Sequence, residues 1–410
     1  GAEKGRLVFR TQNNGLSSAM EITEDGSVGI GKSNPLVALD VNGKINAQSI
    51  SISGVLTADS LNVTGVISGA GFKSTSLELT GGLTAASVNL NGGFINNTVI
   101  GYQALLSATT ASDNTAVGYR TLFSNISGND NTAIGWGVLF NNTSGEQNTA
   151  TGHGALYLNQ TGNYNSAFGT SALYSNTGDA NSAFGYKAMY SNASGANNIA
   201  VGSLSLYSNT SGNNNVAIGA NALFSNTTGT ANVAIGFESL FSNTTSSGNA
   251  AVGYQALASN TVGNFNSAFG TQALFSNSTG DQNLAVGYQA LDAITEGDNN
   301  TAIGYKALTE NTTGATNVAV GNWTLSSNTA GQKNVAVGYG AMADNTGGYE
   351  NTAVGFNALH SLGSTQWNTA VGMDAMYSQT SGGNNTAVGR NAMRYGSTGV
   401  GNTGLGADAL

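Results

Sequence analysis

The chain has 410 residues and a formal net charge of −9, from 12 Lys+Arg against 21 Asp+Glu. Only 8 % of residues are charged and there is no cysteine, which excludes disulfides and thiolate metal sites; the lack of any Lys/Arg cluster argues against nucleic-acid binding. No run reaches the ~18 apolar residues of a membrane helix, and a hydrophobic content of 40 % at fixed positions argues against disorder.

Residues 1–35 read as lead-in strands and turns. They include Ser27-Val28-Gly29-Ile30-Gly31-Lys32-Ser33-Asn34-Pro35, which holds the only proline. No basic-then-apolar segment stands at the start, so export is expected to depend on something outside this sequence. The Gly-x-Gly at Gly29 and Gly31 is not followed by a helix pattern and meets Pro35 instead, so a phosphate loop is rejected.

Residues 36–95 repeat an apolar–x–apolar–x–Gly pattern. It occurs as Leu39-Asp40-Val41-Asn42-Gly43, Ile50-Ser51-Ile52-Ser53-Gly54, Leu61-Asn62-Val63-Thr64-Gly65, Leu77-Glu78-Leu79-Thr80-Gly81 and Val88-Asn89-Leu90-Asn91-Gly92. Such alternation predicts short half-buried strands with Gly at the turn. The glycine steps are 11, 11, 16 and 11 residues, which predicts a β shaft. Strands this short are marginal unless several pair, and neighbouring chains would supply the partners.

Residues 96–410 carry a 17-residue repeat. A glycine recurs in 19 copies from Gly101 to Gly406, with one step of 16 between Gly169 and Gly185. With this Gly as position 0, Asn stands at −4 in every copy, Ala at −2 in 17, and Val, Ile or Phe mostly at −1. Leu or Met holds +4, a second Asn recurs at +7 and a second Gly at +10. A fixed period of this length predicts a solenoid of stacked coils rather than a globule. One coil reads as a strand over Asn-Thr-Ala-Val, a turn at Gly, a second strand over Ala-Leu-aromatic, and a polar turn. Stacking makes the sheets parallel and continuous. At roughly 4.8 Å per coil the stack would extend on the order of 90 Å. Helices are excluded by the Asn, Gly and Thr content of each unit. The expected packing places −1 and +4 inside the coil and Ala −2 at a close contact between chains.

The −4 column comprises Asn97, Asn114, Asn131, Asn148, Asn165, Asn181, Asn198, Asn215, Asn232, Asn249, Asn266, Asn283, Asn300, Asn317, Asn334, Asn351, Asn368, Asn385 and Asn402. So many equal copies point to a structural amide ladder rather than a catalytic or ligand role. Aromatic residues form two further columns. One lies at +1 (Tyr102, Tyr119, Trp136). The other lies at +5 and comprises Phe123, Phe140, Tyr157, Tyr174, Tyr190, Tyr207, Phe224 and Phe241, with Phe275 and Tyr377 beyond them, lapsing at Asp292, Thr309, Ser326, Ala343 and His360. The +5 column is the candidate ligand strip, because ring faces can pack on apolar sugar faces; its structural alternative is bracing of the coils.

His153 and His360 stand alone at the sequence level, and the acidic residues keep no fixed register, so no metal, cofactor or Ser–His–Asp site is expected. The sequons at Asn125, Asn142, Asn192, Asn209, Asn226, Asn243, Asn277 and Asn311 read as polar-turn chemistry, relevant to glycosylation only in a eukaryotic secreted protein.

The string Asn-Thr-Ala-Val-Gly-Tyr-x-Ala-Leu, as in Asn114–Leu122, resembles the head repeats of trimeric autotransporter adhesins across residues 96–410. Val28–Pro35 followed by Leu39-Asp40-Val41-Asn42-Gly43-Lys44-Ile45 resembles the shaft of bacteriophage tail fibres and related bacterial trimeric fibres. The coil here is longer than the adhesin type, and the repeats run to Leu410 without the membrane-anchor strands or fibre-type chaperone domain of those families, so a fragment or processed product of a longer fibre is expected. The resemblance implies a left-handed parallel β-roll in a side-by-side homotrimer behind an intertwined shaft. It also implies a non-enzymatic extracellular role on a bacterial surface or virion, with cell-surface glycans or receptors as partners and no direct membrane insertion. A purely structural filament without a ligand is the alternative. A fibre-borne glycan depolymerase would need a paired-carboxylate cleft that the sequence does not display.

Overall fold

The computed structural model describes residues 7–9, 20–22, 27–30, 39–41, 96–395 and 398–409. The chain forms two units, Gly1–Phe72 and Lys73–Leu410. Of the expected shaft strands only the first, Leu39–Val41, lies within the described residues.

In the first unit, β1 (Leu7–Phe9), β2 (Met20–Ile22), β3 (Val28–Ile30) and β4 (Leu39–Val41) form one sheet in chain order. The pairs β1/β2 and β2/β3 are antiparallel, and β3/β4 is parallel.

The second unit is an all-β parallel solenoid, with no helix among its described residues. Its 19 strands run from β5 (Thr98–Ile100) to β23 (Thr403–Leu405), one per coil. Each pairs in parallel with the next coil's copy, Ala116 opposite Ala133 and Val117 opposite Ile134. Most strands are β-branched on their outward positions, as in Thr115-Ala116-Val117, the residue type that packs best on a pleated surface, and three carry Ser and Phe there instead.

Strand alternation decides what lies inside: +4 is interior as expected, whereas the expected places of −1 and −2 are exchanged. Ala −2 and Asn −4 point inward: Ala116, Ala133 and Ala150 are fully buried, whereas Ile134 at −1 is 40 % exposed and Phe184 is 40 % exposed. The reason is volume. Leu or Met +4, itself buried from Leu105 to Met393, crosses the thin interior and leaves room opposite for little more than a Cβ. The core is therefore a stack of Ala −2, small residues at +3 such as Ala155 and Ala172, and Leu/Met +4.

The expected second strand does not form. From +1 to +6 the chain makes bends, because +2 and +4 adopt left-handed backbone: Arg120 has φ 53° and Leu122 has φ 50°. A left-handed leucine costs roughly 1–2 kcal/mol. Full burial of its side chain returns about 1.5–3 kcal/mol, enough to hold it there. The amides of this segment still bond between coils, Leu122 N–H to Val138 O at 3.0 Å and Ser124 N–H to Phe140 O at 3.0 Å.

The glycine at position 0 answers to two demands at once. Gly253 has φ 142°, and a Cβ on it would lie 2.5 Å from the carbonyl oxygen of Gly270 in the next coil. At +10 the second demand acts alone: a Cβ on Gly162 would lie 2.5 Å from Asn159 Oδ1 and 2.6 Å from Gly178 O.

Candidate functional site

Two columns of asparagine run through the interior. In the −4 column Asn97 and every member from Asn114 to Asn385 are buried, and Asn402 is exposed. Each Oδ1 accepts the backbone N–H of the next member, as Asn114 does from Asn131 at 2.9 Å. Side-chain amides add direct rungs, Asn148 Nδ2 to Asn131 Oδ1 at 3.0 Å. The +7 column, which the sequence reading left in the polar turn, forms a second ladder. Asn142 Nδ2 donates to Asn125 Oδ1 at 2.8 Å, and the pattern continues through Asn226 to Asn209 at 2.8 Å and Asn277 to Asn260 at 2.9 Å.

The two columns meet at the +10 carbonyl. Gly128 O accepts from Asn114 Nδ2 at 2.9 Å and from Asn125 Nδ2 at 2.9 Å. This inward carbonyl would be an unpaired buried acceptor without both columns, so the Asn residues answer a backbone demand. The second ladder breaks at Ile294, and Asn277 Oδ1 is left buried without a partner. At the other end of the column Leu362 interrupts it, and Asn345 Oδ1 turns to accept Gly348 N–H at 3.0 Å. The eight sequon asparagines named above all belong to this column and are fully buried, so none of those eight is open to a modifying enzyme in the folded chain, whereas the sequon asparagines Asn299 and Asn322 lie outside the column and are exposed.

On the outside, the eight +5 rings from Phe123 to Phe241 are half-buried and form one continuous stack. Phe123 and Phe140 stand 5.0 Å apart at 2°, Tyr207 and Phe224 5.2 Å apart at 5°. Burial in the stack, together with Tyr190 and Tyr157, pushes the Tyr174 hydroxyl above its ordinary pKa. Ring faces in the strip are turned toward each other, so solvent meets ring edges except at the two ends. A parallel set stands at +1, where Tyr102, Tyr119, Trp136 and His153 stack in sequence. Cations at +2 bridge the two columns: the Arg120 guanidinium lies 5.3 Å from the Tyr119 ring and 5.6 Å from the Phe123 ring, a geometry worth ~0.5–1 kcal/mol at exposed sites.

His153 therefore extends a ring column. His360 stacks on Tyr377 at 5.1 Å, and its Nδ1 lies 3.4 Å from Asp344 Oδ2, a carboxylate that sequence spacing did not suggest. Among the described residues no group of His, Cys, Asp and Glu is placed to hold a metal ion, and no helix is long and apolar enough to cross a membrane.

A second exposed surface is the outer face of the strand sheet. Positions −3 and −1 carry no charged side chain in any of the 19 coils. Position −1 presents Ile218, Ile235, Phe269, Val354 and Val388 at 36–41 % exposure. A strip three residues wide along these coils measures roughly 90 Å by 10 Å, or about 900 Å²; its −1 row is almost wholly apolar, while its −3 row is Thr or Ser in 12 of the 19 coils.

No protein-family model matches the chain, and a search of characterised proteins finds none similar to it.

Proposed function

We propose that the chain is a non-enzymatic, extracellular attachment fibre segment that works as a side-by-side homotrimer. The observation that carries this reading is the uncharged outer face of the strand sheet, with its exposed apolar row at −1. A face with no charges in 19 coils can lie against the same face of another copy without like-charge repulsion. Its 4.8 Å-type repeat is identical in both copies, so knobs on one find matching gaps on the other. An area of about 900 Å² per copy is also what a stable interface requires of each partner. The number three comes from the resemblance to trimeric fibres. Ladders, stacked rings and parallel pairing all run along the stacking direction, which suits a stiff spacer that holds surfaces away from a cell or virion.

The test is the mass of the intact chain by light scattering. The expected mass is three times that of one chain, and the double variant Ile218→Lys/Ile235→Lys is expected to be a folded monomer. A monomeric parent chain would end the trimer reading. If the trimer forms but binds neither cells nor glycans, the purely structural filament takes its place.

A further inference from the structure

Away from the ring stacks, the polar turns of two consecutive coils leave a cleft of about 370 Å³, lined by Ala330, Gln332, Lys333, Gly347, Tyr349 and Glu350. That volume lies within the ~300–1,000 Å³ range of small-molecule sites. Trp367 of the following coil is fixed beside it. Its Nε1–H donates to Glu350 Oε2 at 2.7 Å, while Lys333 Nζ donates to Glu350 Oε1 at 3.1 Å. Together these donors hold the Glu350 carboxyl below its ordinary pKa, the indole contributing most.

Three features together set this place apart from the rest of the solenoid. First, Tyr349 and Trp367 meet at 83° with centroids 5.9 Å apart, an edge-on arrangement shared with Tyr305 and Trp323 at 65°, a pair that does not line this cleft. Rings at right angles cannot cover one another's faces as the parallel stacks do, and these two are 40 % and 47 % exposed. Second, the hollow is not forced by the turn. Gly347 occupies +9, where the backbone makes no demand for glycine, and a Cβ there would touch only the Ser364 hydroxyl at an ordinary 3.4 Å. Val262 fills the corresponding position in another coil. Third, the charges are matched: one ammonium faces one carboxylate, so the cleft carries no net formal charge.

We propose that this cleft binds one or two pyranose units of a neutral glycan. An exposed ring face takes the apolar C–H face of the sugar. The Gln332 amide and the remaining lone pairs of the Glu350 carboxylate pair with its hydroxyls. An anionic sugar would gain little, since Lys333 is already matched by Glu350. The proposal deepens the attachment reading, on which its biological sense rests, but it places the glycan contact at the polar turn rather than on the +5 strip.

The test is saturation-transfer NMR on the intact chain with lactose, maltose, mannobiose and N,N′-diacetylchitobiose, comparing the parent with Trp367→Ala and Gly347→Val. Both substitutions have precedents in this fold. Ala180 and Ala231 hold the coil position of Trp367 with φ 55° and 56°, and Val262 holds that of Gly347; circular dichroism checks the fold. The expected result is transfer to at least one neutral disaccharide, weakened by about tenfold or more in each variant. Absence of transfer from all four sugars, or equal transfer in parent and variants, overturns the proposal. Cell attachment that survives both substitutions sinks the cleft and leaves the attachment reading standing. Sugar binding without cell attachment does the reverse.

Discussion

Replacing Asn209 by alanine tests whether the buried amides hold the coils together. Asn209 Nδ2 donates to Asn192 Oδ1 at 2.6 Å and to Gly212 O at 3.0 Å, and its Oδ1 accepts from Asn226 Nδ2 at 2.8 Å. In the variant Gly212 O keeps Asn198 at 2.8 Å, and Asn226 keeps Gly229 O at 3.1 Å. Asn192 Oδ1 loses its partner and stays buried. One orphaned acceptor at about 1–3 kcal/mol and two further bonds at about 1 kcal/mol each give a loss of about 3–5 kcal/mol. The control is Asn129→Ala, which also removes three bonds, from Ser112 N–H at 2.8 Å, from the Ser112 hydroxyl at 3.2 Å and to Glu146 Oε1 at 3.1 Å. There water can replace them, and the cost is expected below about 1 kcal/mol. Solenoids need not unfold in one step, so the assay is native-state amide exchange. The readouts are Leu206, bonded to Ala222 O, and Leu223, bonded to Ser239 O, against the remote Leu359. Asn209→Ala should speed exchange at the first two by roughly two to three and a half orders of magnitude and leave Leu359 unchanged. If the two variants fall within about tenfold of each other, the interior ladder is no stronger than a surface contact and the reasoning fails.

Gly253→Ala should prevent the local coils from forming, because the added methyl would meet Gly270 O at 2.5 Å and Gly270 C at 2.6 Å; a folded variant with unchanged melting would refute the close-approach argument. Asp292 interrupts the +5 column, and its pKa is raised above 3.8 by burial, partly countered by Lys306. A carboxyl raised on folding contributes stability in full below the unfolded value, and that contribution is lost as pH climbs through the folded one. Asp292→Asn should therefore raise the melting temperature near neutral pH, with parent and variant converging well below pH 3.8; a gap that widens on acidification would refute the sign. Leu223→Ala, at a fully buried left-handed position, should cost about 2–5 kcal/mol in local opening; alanine keeps the Cβ and hence the strain, so loss of less than about 1 kcal/mol would mean that burial of this side chain does not hold the position.

The 17-residue period and the parallel stacking were legible because every coil obeys the same steric demands at Gly 0 and Asn −4. Which strand face turns inward was not, since a period of two defines two faces without naming the buried one. The deciding quantity was the volume of Leu +4, a residue the sequence reading had itself placed in a strand. Leucine is a poor left-handed residue, and nothing local announces that burial will hold it there. The second ladder carried a readable sign: Ile294 and Leu362 replace Asn at +7, and aliphatic residues in an otherwise polar column point to an interior position. That Lys333, Glu350 and Trp367 stand one above the other follows from the 17-residue offset, but the cleft itself was not legible, because the period does not give the edge-on meeting of Tyr349 and Trp367.

The single short coil shows where this architecture can change length. Its missing residue falls between Asn176 and Gly178, and Gly178 O still accepts from Asn176 at 2.8 Å and from Asn165 at 2.9 Å. The neighbouring rung on one side absorbs the change, stretched to 3.4 Å, while that on the other side stays at 2.6 Å, as between the regular coils at Asn192 and Asn209. The stretch between +7 and +10 is thus the seam at which residues can be removed, and by the same logic inserted, while the rest of the coil keeps its register. Surface loops grafted there would be displayed at one-coil intervals on an otherwise unaltered scaffold.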